Sequence, residues 1–257
     1  MADVHATAAP APAPAPAPVS APATAAIVPH AGLVYSGACA AEVFKRIQLA
    51  HTVVILAPNH TGTVTAPGGA SAWTKGAFRM PLGDVPVDEH FAAKLCETCD
   101  LVSHDPAAHQ REHAIEVELP FLALLAPRSA IVPIVLAWDD WDRCRALAEA
   151  IATVVRDWPE PVSLLASSDM THFESADVAA RKDRVALDHV QRLDGQGLLA
   201  ACRREAITMC GRAPVATVLE AARLLGSTEG SVVDYRHSGW VTGDNSQVVA
   251  YAGVVIR

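Results

Sequence analysis

The sequence predicts a single α/β domain whose mainly parallel central sheet is covered by helices on both faces. Three apolar runs carry this prediction: TVVILAPNH (52–60), AIVPIVLAW (130–138) and PVSLLASSD (161–169). None of them alternates apolar with polar residues, which is typical of strands buried on both faces. Helical patterns separate the runs, and strands that alternate with helices favour a parallel sheet.

The N-terminal stretch differs from the rest of the chain. Residues 1–26, MADVHATAAPAPAPAPAPVSAPATAA, are an Ala-Pro low-complexity segment. Such repeats favour extended polyproline conformations and offer little to pack. We therefore expect a disordered tail over 1–26 and one domain over 27–257.

The elements of the domain follow in order from Ile27. The run AAIVPH predicts a first strand, and SQVVAYAGVVI (246–256) predicts the strand that closes the sheet. The Gly and Pro content of 63–88 indicates a hairpin or long loop after the second strand. Helical patterns cover 37–48, 87–99, 114–126, 140–157, 176–192 and 213–225.

Composition excludes several classes of function. The net charge is -8, and no basic cluster provides the electrostatic footprint of a nucleic-acid-binding protein. No apolar run approaches the roughly 20 residues of a membrane helix, and the start lacks the basic region of a signal peptide. We expect a cytoplasmic protein that binds neither nucleic acid nor membrane. Its six cysteines should be free thiols.

Polar residues follow three predicted strands where they end. His30 ends AAIVPH, His60 ends VVILAPNH, and Asp169 ends SLLASSD, with His172 shortly after it. In parallel α/β sheets ligands bind beyond the carboxyl ends of the strands. Each histidine alone is more often a turn residue, but their joint placement favours a shared cleft.

The segment HQREHAIEVELPF (109–121) adds a second group. His113 and Glu116 are three residues apart, so on a helix they share a face. Glu116 would then accept the ring N–H of His113 and set its tautomer. Histidines and carboxylates that converge in a cleft suit a divalent transition metal with an adjacent acid/base group. A serine hydrolase is disfavoured because the Gly-x-Ser-x-Gly elbow is absent.

Several blocks carry a resemblance to a known family. They are VPHAGLVYSGACAAEVFKRI, VVILAPNHTG, WTKGAFRMPLGDVPVD, HQREHAIEVELPFL, SSDMTHF, MCGRAPVATVLEAA and YRHSGWVTGDNSQVVAYAGV. Together they resemble the Memo family, also called AmmeMemoRadiSam system protein B. The resemblance implies a fold similar to class III extradiol dioxygenases and covers nearly all of the chain from Ile27 to Val255.

The resemblance also implies roles for individual residues. His30 and His60 match metal ligands, while His113, Glu116, Asp169 and His172 match residues of the cleft that would act as acid/base groups. The resemblance leads us to look for a third ligand in YRHSGWVTGDNS, which holds no cysteine. His237 and Asp244 are the candidates there. Cys210 in MCGRAP also matches a family block, but it fits a buried small residue before a helix equally well.

Three functions follow from this reading. The first is a non-haem metal-dependent, dioxygenase-like oxidoreductase that acts on a small-molecule or peptide substrate, with Fe(II) expected and copper or zinc as alternatives. The second is a non-catalytic binding module for a peptide or small ligand, working with radical-SAM and AMMECR-type partner proteins. The third is a hydrolase that uses the same metal to generate hydroxide.

Overall fold

The computed structural model describes residues 24–257, which form eleven strands and eight α-helices. The strands are β1 Ala25–Val28, β2 Thr52–Pro58, β3 Ala70–Ala72, β4 Ala77–Phe78, β5 Val85–Pro86, β6 Val102–His104, β7 Ala130–Leu136, β8 Val162–Ser167, β9 His172–Glu174, β10 Gly230–His237 and β11 Val248–Ile256. The helices are α1 Leu33–Phe44, α2 Glu89–Thr98, α3 Leu119–Leu125, α4 Trp141–Asp157, α5 Ala176–Gln191, α6 Gly195–Arg204, α7 Arg212–Leu224 and α8 Gly239–Thr242.

The central sheet has the order β10-β11-β1-β8-β2-β7-β3-β6, and β9 pairs with β11. Its middle strands β1, β8, β2 and β7 pair in parallel. β11 is antiparallel to β1 and β10, and β3 is antiparallel to β7. The predicted fold is confirmed: a single α/β domain with a central, mostly parallel sheet and helices around it.

Successive residues of the central strands face two different cores. On β2, Val54 and Leu56 belong to the larger apolar cluster, which also takes residues from α2 and from α4 to α7. Val53 and Ile55 belong to the smaller cluster, which includes residues of α1 and α3. Both faces of the strand are therefore buried, which explains why its sequence does not alternate.

The N-terminal boundary lies close to its predicted place. Most of the predicted tail, 1–26, lies outside the described residues. β1 starts at Ala25, two residues before the expected start of the domain, and Ala25 and Ala26 are buried. The predicted loop over 63–88 contains β3 and the short hairpin of β4 with β5.

The predicted helix over 114–126 is shorter than expected. α3 begins only at Leu119, with a proline in its first turn, a position that proline favours. Before it the backbone forms successive turns: Glu118 N–H donates to Ile115 O (3.1 Å) and Leu119 N–H to Glu116 O (3.2 Å). His113 lies just before these turns and outside any helix, so the α-helical face predicted for His113 and Glu116 does not form.

No helix among residues 24–257 is long and apolar enough to cross a lipid bilayer.

Candidate metal centre

Three histidines meet beyond the carboxyl ends of the parallel strands. His30 follows β1 and His60 follows β2, and both strands lie beside β8. His113 reaches the same place from the turns before α3. The ring centroids are 5.2 Å apart for His30 and His60, 5.6 Å for His30 and His113, and 5.0 Å for His60 and His113.

One nitrogen of each ring lies within 4.8 Å of the others, a spacing at which all three could bind a single metal ion. Among the described residues this is the group of three donors that qualifies. His30 is buried, whereas His60 and His113 are exposed enough for a ligand to approach. The site is therefore closed on the side of His30 and open to solvent on the side of His60 and His113.

Glu112 forms a hydrogen bond with the His60 ring and lies near the His113 ring. Its Oε1 lies 2.8 Å from His60 Nδ1 and 3.5 Å from His113 Nδ1, and its Oε2 accepts the His60 backbone N–H at 2.6 Å. Burial acts to raise the pKa of Glu112, but the hydrogen bonds from His60 and Ala114 outweigh it and bring the pKa to about 2. An ionised Glu112 can only accept, so His60 Nδ1–H donates, and in the neutral ring Nε2 carries the lone pair. The same hydrogen bond to Glu112 raises the pKa of His60, so a metal ion would compete with a proton at Nε2.

A serine fixes the tautomer of His30 in the same way. Ser167 Oγ donates its only proton to the carbonyl of Ala114 at 2.6 Å, and it lies 2.7 Å from His30 Nδ1. Because that proton is already used, Nδ1–H of His30 must donate to Ser167. His30 Nε2 then carries the lone pair of the ring. Burial, followed by the neighbouring His60, lowers the pKa of His30 well below its usual value, so the ring is neutral.

Cys210 lies against this lone pair. Its Sγ is 3.3 Å from His30 Nε2, and the residue stands just before α7. Burial, and then the charge of Asp169, raises the pKa of the thiol to about 12. A metal ion bound to His30 Nε2 would have this sulfur at its side, and a bound metal deprotonates a thiol.

Asp169 braces the loop that carries His30. Its Oδ1 accepts the backbone N–H of His30 at 2.9 Å and of Ala31 at 3.2 Å. Burial raises the pKa of Asp169 to about 6, although these two hydrogen bonds oppose the shift. Asp169 therefore titrates near neutrality at the edge of the histidine group.

His172 lies at the start of β9. Its backbone N–H donates to Thr208 Oγ1 (2.7 Å), and its Nδ1 lies 3.1 Å from Thr208 O. A carbonyl only accepts, so Nδ1 carries the proton and Nε2 is a free base. Burial lowers the pKa of His172, which keeps the ring neutral. The contacts that orient His172 come from Thr208 and not from Asp169, the other acid/base candidate of the SSDMTH block.

Three further predictions differ from the structure. Glu116 is exposed, and no hydrogen bond joins it to His113 within residues 24–257; Glu112 is the carboxylate at that ring. Asp244 is exposed and accepts hydrogen bonds from Ser246. His237 packs on Trp240. The third nitrogen of the group comes from His113 rather than from Asp244 or His237.

Sequence reasoning missed Glu112 and undervalued Cys210. Glu112 is 52 residues from His60, and Cys210 is 180 residues from His30. Only the sheet brings them together. One signal was available: Glu112 precedes His113 directly, and a carboxylate beside a candidate ligand is a candidate to orient it.

A cavity of about 640 Å³ opens beside the centre, bordered by Asn59, Trp138, Thr208, Cys210 and Arg212. None of the three histidines lines this cavity, but Cys210 borders it and its Sγ lies 3.3 Å from His30 Nε2, so the cavity adjoins the histidine group. A slightly larger cavity of about 700 Å³ lies around His51, at the amino ends of β2 and β7. Ligand sites in this fold class lie at the carboxyl ends, so the smaller cavity is the one relevant to the centre.

Comparison with known proteins agrees with this architecture. The family model described as Memo-like protein matches residues 6–255. The chain belongs to the Memo family. A MEMO1 family protein of Methanopyrus kandleri is 40% identical over 235 residues, covering 90% of this chain and 82% of that protein. One of Sulfolobus acidocaldarius is 39% identical over 232 residues, covering 89% and 80%.

A solved structure has a similar fold. An uncharacterized protein from Escherichia coli K12 superposes with a TM-score of 0.60 at 13% identity, covering 91% of this chain and 99% of that one. The resemblance inferred from the sequence blocks is confirmed at the level of family and fold.

Proposed function

We propose that this Memo-family protein is a non-haem metal-dependent oxidoreductase of the extradiol-dioxygenase-like kind, with His30, His60 and His113 as the metal ligands. The observation that carries the proposal is the pairing of ligands with their supports. Ser167 accepts the Nδ1–H of His30, and Glu112 accepts the Nδ1–H of His60. In each neutral ring the lone pair that can bind a metal is therefore on Nε2. Outer groups of this kind fix the tautomer and raise the basicity of metal-binding histidines.

The donors fit a divalent transition metal. Three neutral imidazoles suit Fe(II), copper and zinc, and the thiol of Cys210 adds a soft donor beside them. Fe(II) is our first choice because a non-haem iron with open positions can bring an oxidisable substrate and dioxygen together. The open rim at His60 and His113 leaves room for such additional ligands.

Side chains of the protein would accept and donate the protons of the reaction. His172 Nε2 is an unprotonated base, because Nδ1–H is held by the Thr208 carbonyl. Asp169, with a pKa of about 6, exchanges a proton close to neutral pH. A base with a pKa near the working pH is the effective kind for general acid/base catalysis. A phenolic or peptide substrate in the cavity beside Cys210 would offer its proton to His172.

A hydrolase is the second candidate, and the donor set itself favours it. Three histidines with an open position form a ligand set in which a metal-bound water becomes acidic near neutral pH. The 2-His-1-carboxylate set typical of non-haem iron oxygenases would require a carboxylate, yet Glu112 is engaged with His60. The same cleft and the same base would serve both reactions.

The experiment that tests the proposal measures metal content and oxygen uptake together. The protein is purified without oxygen and loaded with Fe(II); bound metal per chain is measured, then oxygen consumption with catechols and with peptides. We expect one ion per chain and oxygen uptake with one substrate class. His172→Ala should keep the metal and lose most of the turnover, because general acid/base catalysis contributes about 100- to 10,000-fold.

Three results would contradict the proposal. If the double variant His30→Ala with His60→Ala binds metal as the parent does, the ligand assignment is wrong. If metal binds at these residues and no tested substrate causes oxygen uptake, the proposed oxidoreductase activity is wrong. Hydrolysis of an ester or amide by the zinc form, with no oxygen uptake by the iron form, would establish the second candidate in its place.

A further inference from the structure

The cavity beside the metal centre is bordered by an arginine whose hydrogen-bond donors are only partly used. Arg212 is the first residue of α7, two residues after Cys210, and both residues border the cavity. Its Nε and Nη2 donate to Oδ2 of Asp139 at 2.9 and 2.6 Å. Nη1 makes no hydrogen bond within residues 24–257. The Arg212 side chain is 35% exposed, so a ligand can reach the guanidinium.

The shape of the guanidinium leaves one pair of donors open. This group carries five N–H bonds, and it can bind a carboxylate through either of two parallel pairs of them. In Arg212 the pair from Nε and Nη2 is directed to Asp139. The other pair consists of one N–H of Nη1 and the second N–H of Nη2. No carboxylate among residues 24–257 forms an ion pair with it besides Asp139.

The charges around Asp139 do not balance. A second arginine shares this carboxylate, since Arg203 Nη2 lies 3.5 Å from Asp139 Oδ1. The neighbouring pair of Arg143 and Asp140 is balanced. Burial acts to raise the pKa of Asp139, but Arg212 and then Arg203 hold it below its usual value, so this carboxylate is ionised. One positive charge is therefore in excess here, although the chain has a net charge of -8. A local positive excess attracts anions.

The remaining lining of the cavity suits an apolar ring. Leu136, Trp138 and Pro214 border it, and its volume of about 640 Å³ lies in the range of small-molecule sites. Cys210 connects the cavity to the histidine group, because its Sγ lies 3.3 Å from His30 Nε2. The cavity therefore offers apolar contacts, a cationic donor pair and access to the metal centre.

We propose that this cavity binds a small aromatic carboxylate and that Arg212 is the specificity-determining residue, which holds the carboxylate through its open pair of N–H groups. The inference deepens the proposed function and rests on it in one respect, because the ligand is a substrate only if the histidines bind a metal ion. A neutral analogue would cover the same donors without supplying an anion, and this difference is the physical basis of the selectivity.

Binding of benzoate and of benzamide to the metal-free protein tests the inference. The two probes have similar shapes and differ in charge, and without a metal ion the carboxylate has no metal to bind instead. Both dissociation constants are measured by NMR titration. We expect the parent to bind benzoate about 10- to 100-fold more tightly than benzamide, the range for a hydrogen bond between charged groups. Arg212→Lys should keep only part of this preference, because lysine has the charge without the parallel donors.

Two further variants separate the guanidinium from the local charge. Arg212→Gln combined with Asp139→Asn keeps the net charge of the pair but has no guanidinium, so it should bind benzoate and benzamide equally. Arg203→Gln removes a cation that also contacts Asp139 but does not border the cavity, and it should keep most of the preference.

The inference is overturned if the parent binds benzoate and benzamide equally, if it binds neither, or if the double variant keeps the preference. Should the double variant fail to fold, Arg212→Lys decides, and a preference equal to that of the parent would contradict the paired contact. Failure of the proposed function would look different. It would appear as a His30→Ala variant with undiminished Co(II) affinity, while the preference for benzoate in the metal-free protein persisted.

Discussion

At the residue scale, the site depends on how each imidazole is held rather than on the count of histidines. His60 and His113 share Glu112, and His30 is held by Ser167. The hydrogen bonds to His60 and His30 each remove one tautomer and thereby direct a lone pair, whereas Glu112 only lies near His113, at 3.5 Å. A histidine without such a partner spends part of its time in the wrong tautomer and orientation, which weakens its metal binding.

Glu112→Gln is the first prediction at this scale. The amide carries no negative charge, so His60 loses its anionic hydrogen-bond acceptor and His113 loses the carboxylate that lies 3.5 Å from its Nδ1. Metal affinity should fall by about 10- to 100-fold, measured by titration with Co(II). Glu116→Gln is the matched control, four residues along in the same segment but exposed, and it should bind like the parent. Equal losses in both variants would contradict the role of Glu112.

Cys210 gives a spectroscopic prediction. Its sulfur, 3.3 Å from His30 Nε2, should join the metal shell and lose its proton on binding. The Co(II) form should therefore show a thiolate charge-transfer band in the near ultraviolet. Cys210→Ser should abolish the band while some metal still binds. Cys202→Ser alters a different cysteine, which is buried on α6, and should leave the band unchanged. If the band persists in Cys210→Ser, the sulfur of Cys210 is not a metal ligand.

At the element scale, the strands β1, β8 and β2 do most of the placement. β8 lies between the other two, so its end at Ser167 stands between the histidines that follow β1 and β2. The loop after His60 needs its own anchor, and Asp105 supplies it. Its carboxylate accepts from Thr65 N–H and Oγ1–H, Ala66 N–H and Ser71 Oγ–H, at 2.6–3.0 Å.

The stability contributed by Asp105 should depend on pH. Burial acts to raise the pKa of Asp105, but the hydrogen bonds from Thr65, Ser71 and Ala66 outweigh burial and hold this pKa far below its usual range. A carboxylate whose pKa is lowered by folding stabilises the protein at pH values above the ordinary aspartate pKa near 4. This stabilisation is lost as the pH falls below that value. Asp105→Asn should lower the free energy of unfolding by about 1–3 kcal/mol at pH 7.

Urea unfolding at several pH values checks this prediction. The difference between parent and Asp105→Asn should be full at pH 7 and should shrink as the pH drops below about 4. Asp100→Asn, at an exposed position, serves as the control and should change little. A difference that stays constant down to acid pH would mean that the variant acts through packing rather than through the charge.

At the scale of the whole molecule, the buried strands were predictable because they are covered on both faces. The runs at 52–60, 130–138 and 161–169 contain β2, β7 and β8. β10 and α6 were not predicted. β10 is only partly buried along most of its length, so it has no continuous apolar run, and α6 carries Gly195 and Gly197 in its first turn, which weakens a helical pattern.

The site was predictable only in part, for a related reason. His30, His60 and Asp169 could be predicted because the sequence shows where each run of buried apolar residues ends. The partners of these residues depend on which strands become neighbours. Ser167 lies in the same run as Asp169, and Glu112 directly precedes His113, but no periodicity in the chain links Glu112, Ser167 or Cys210 to the histidines that they contact.

The central claim is that one metal ion sits among His30, His60 and His113. Anomalous scattering from a crystal grown with Co(II) measures this directly. The account predicts one peak per chain at about 2.0–2.1 Å from a nitrogen of each of the three rings, the usual metal–imidazole distance. A chain that places its metal elsewhere, for instance at His237 or Asp244, or that shows no peak between the three rings, would contradict it.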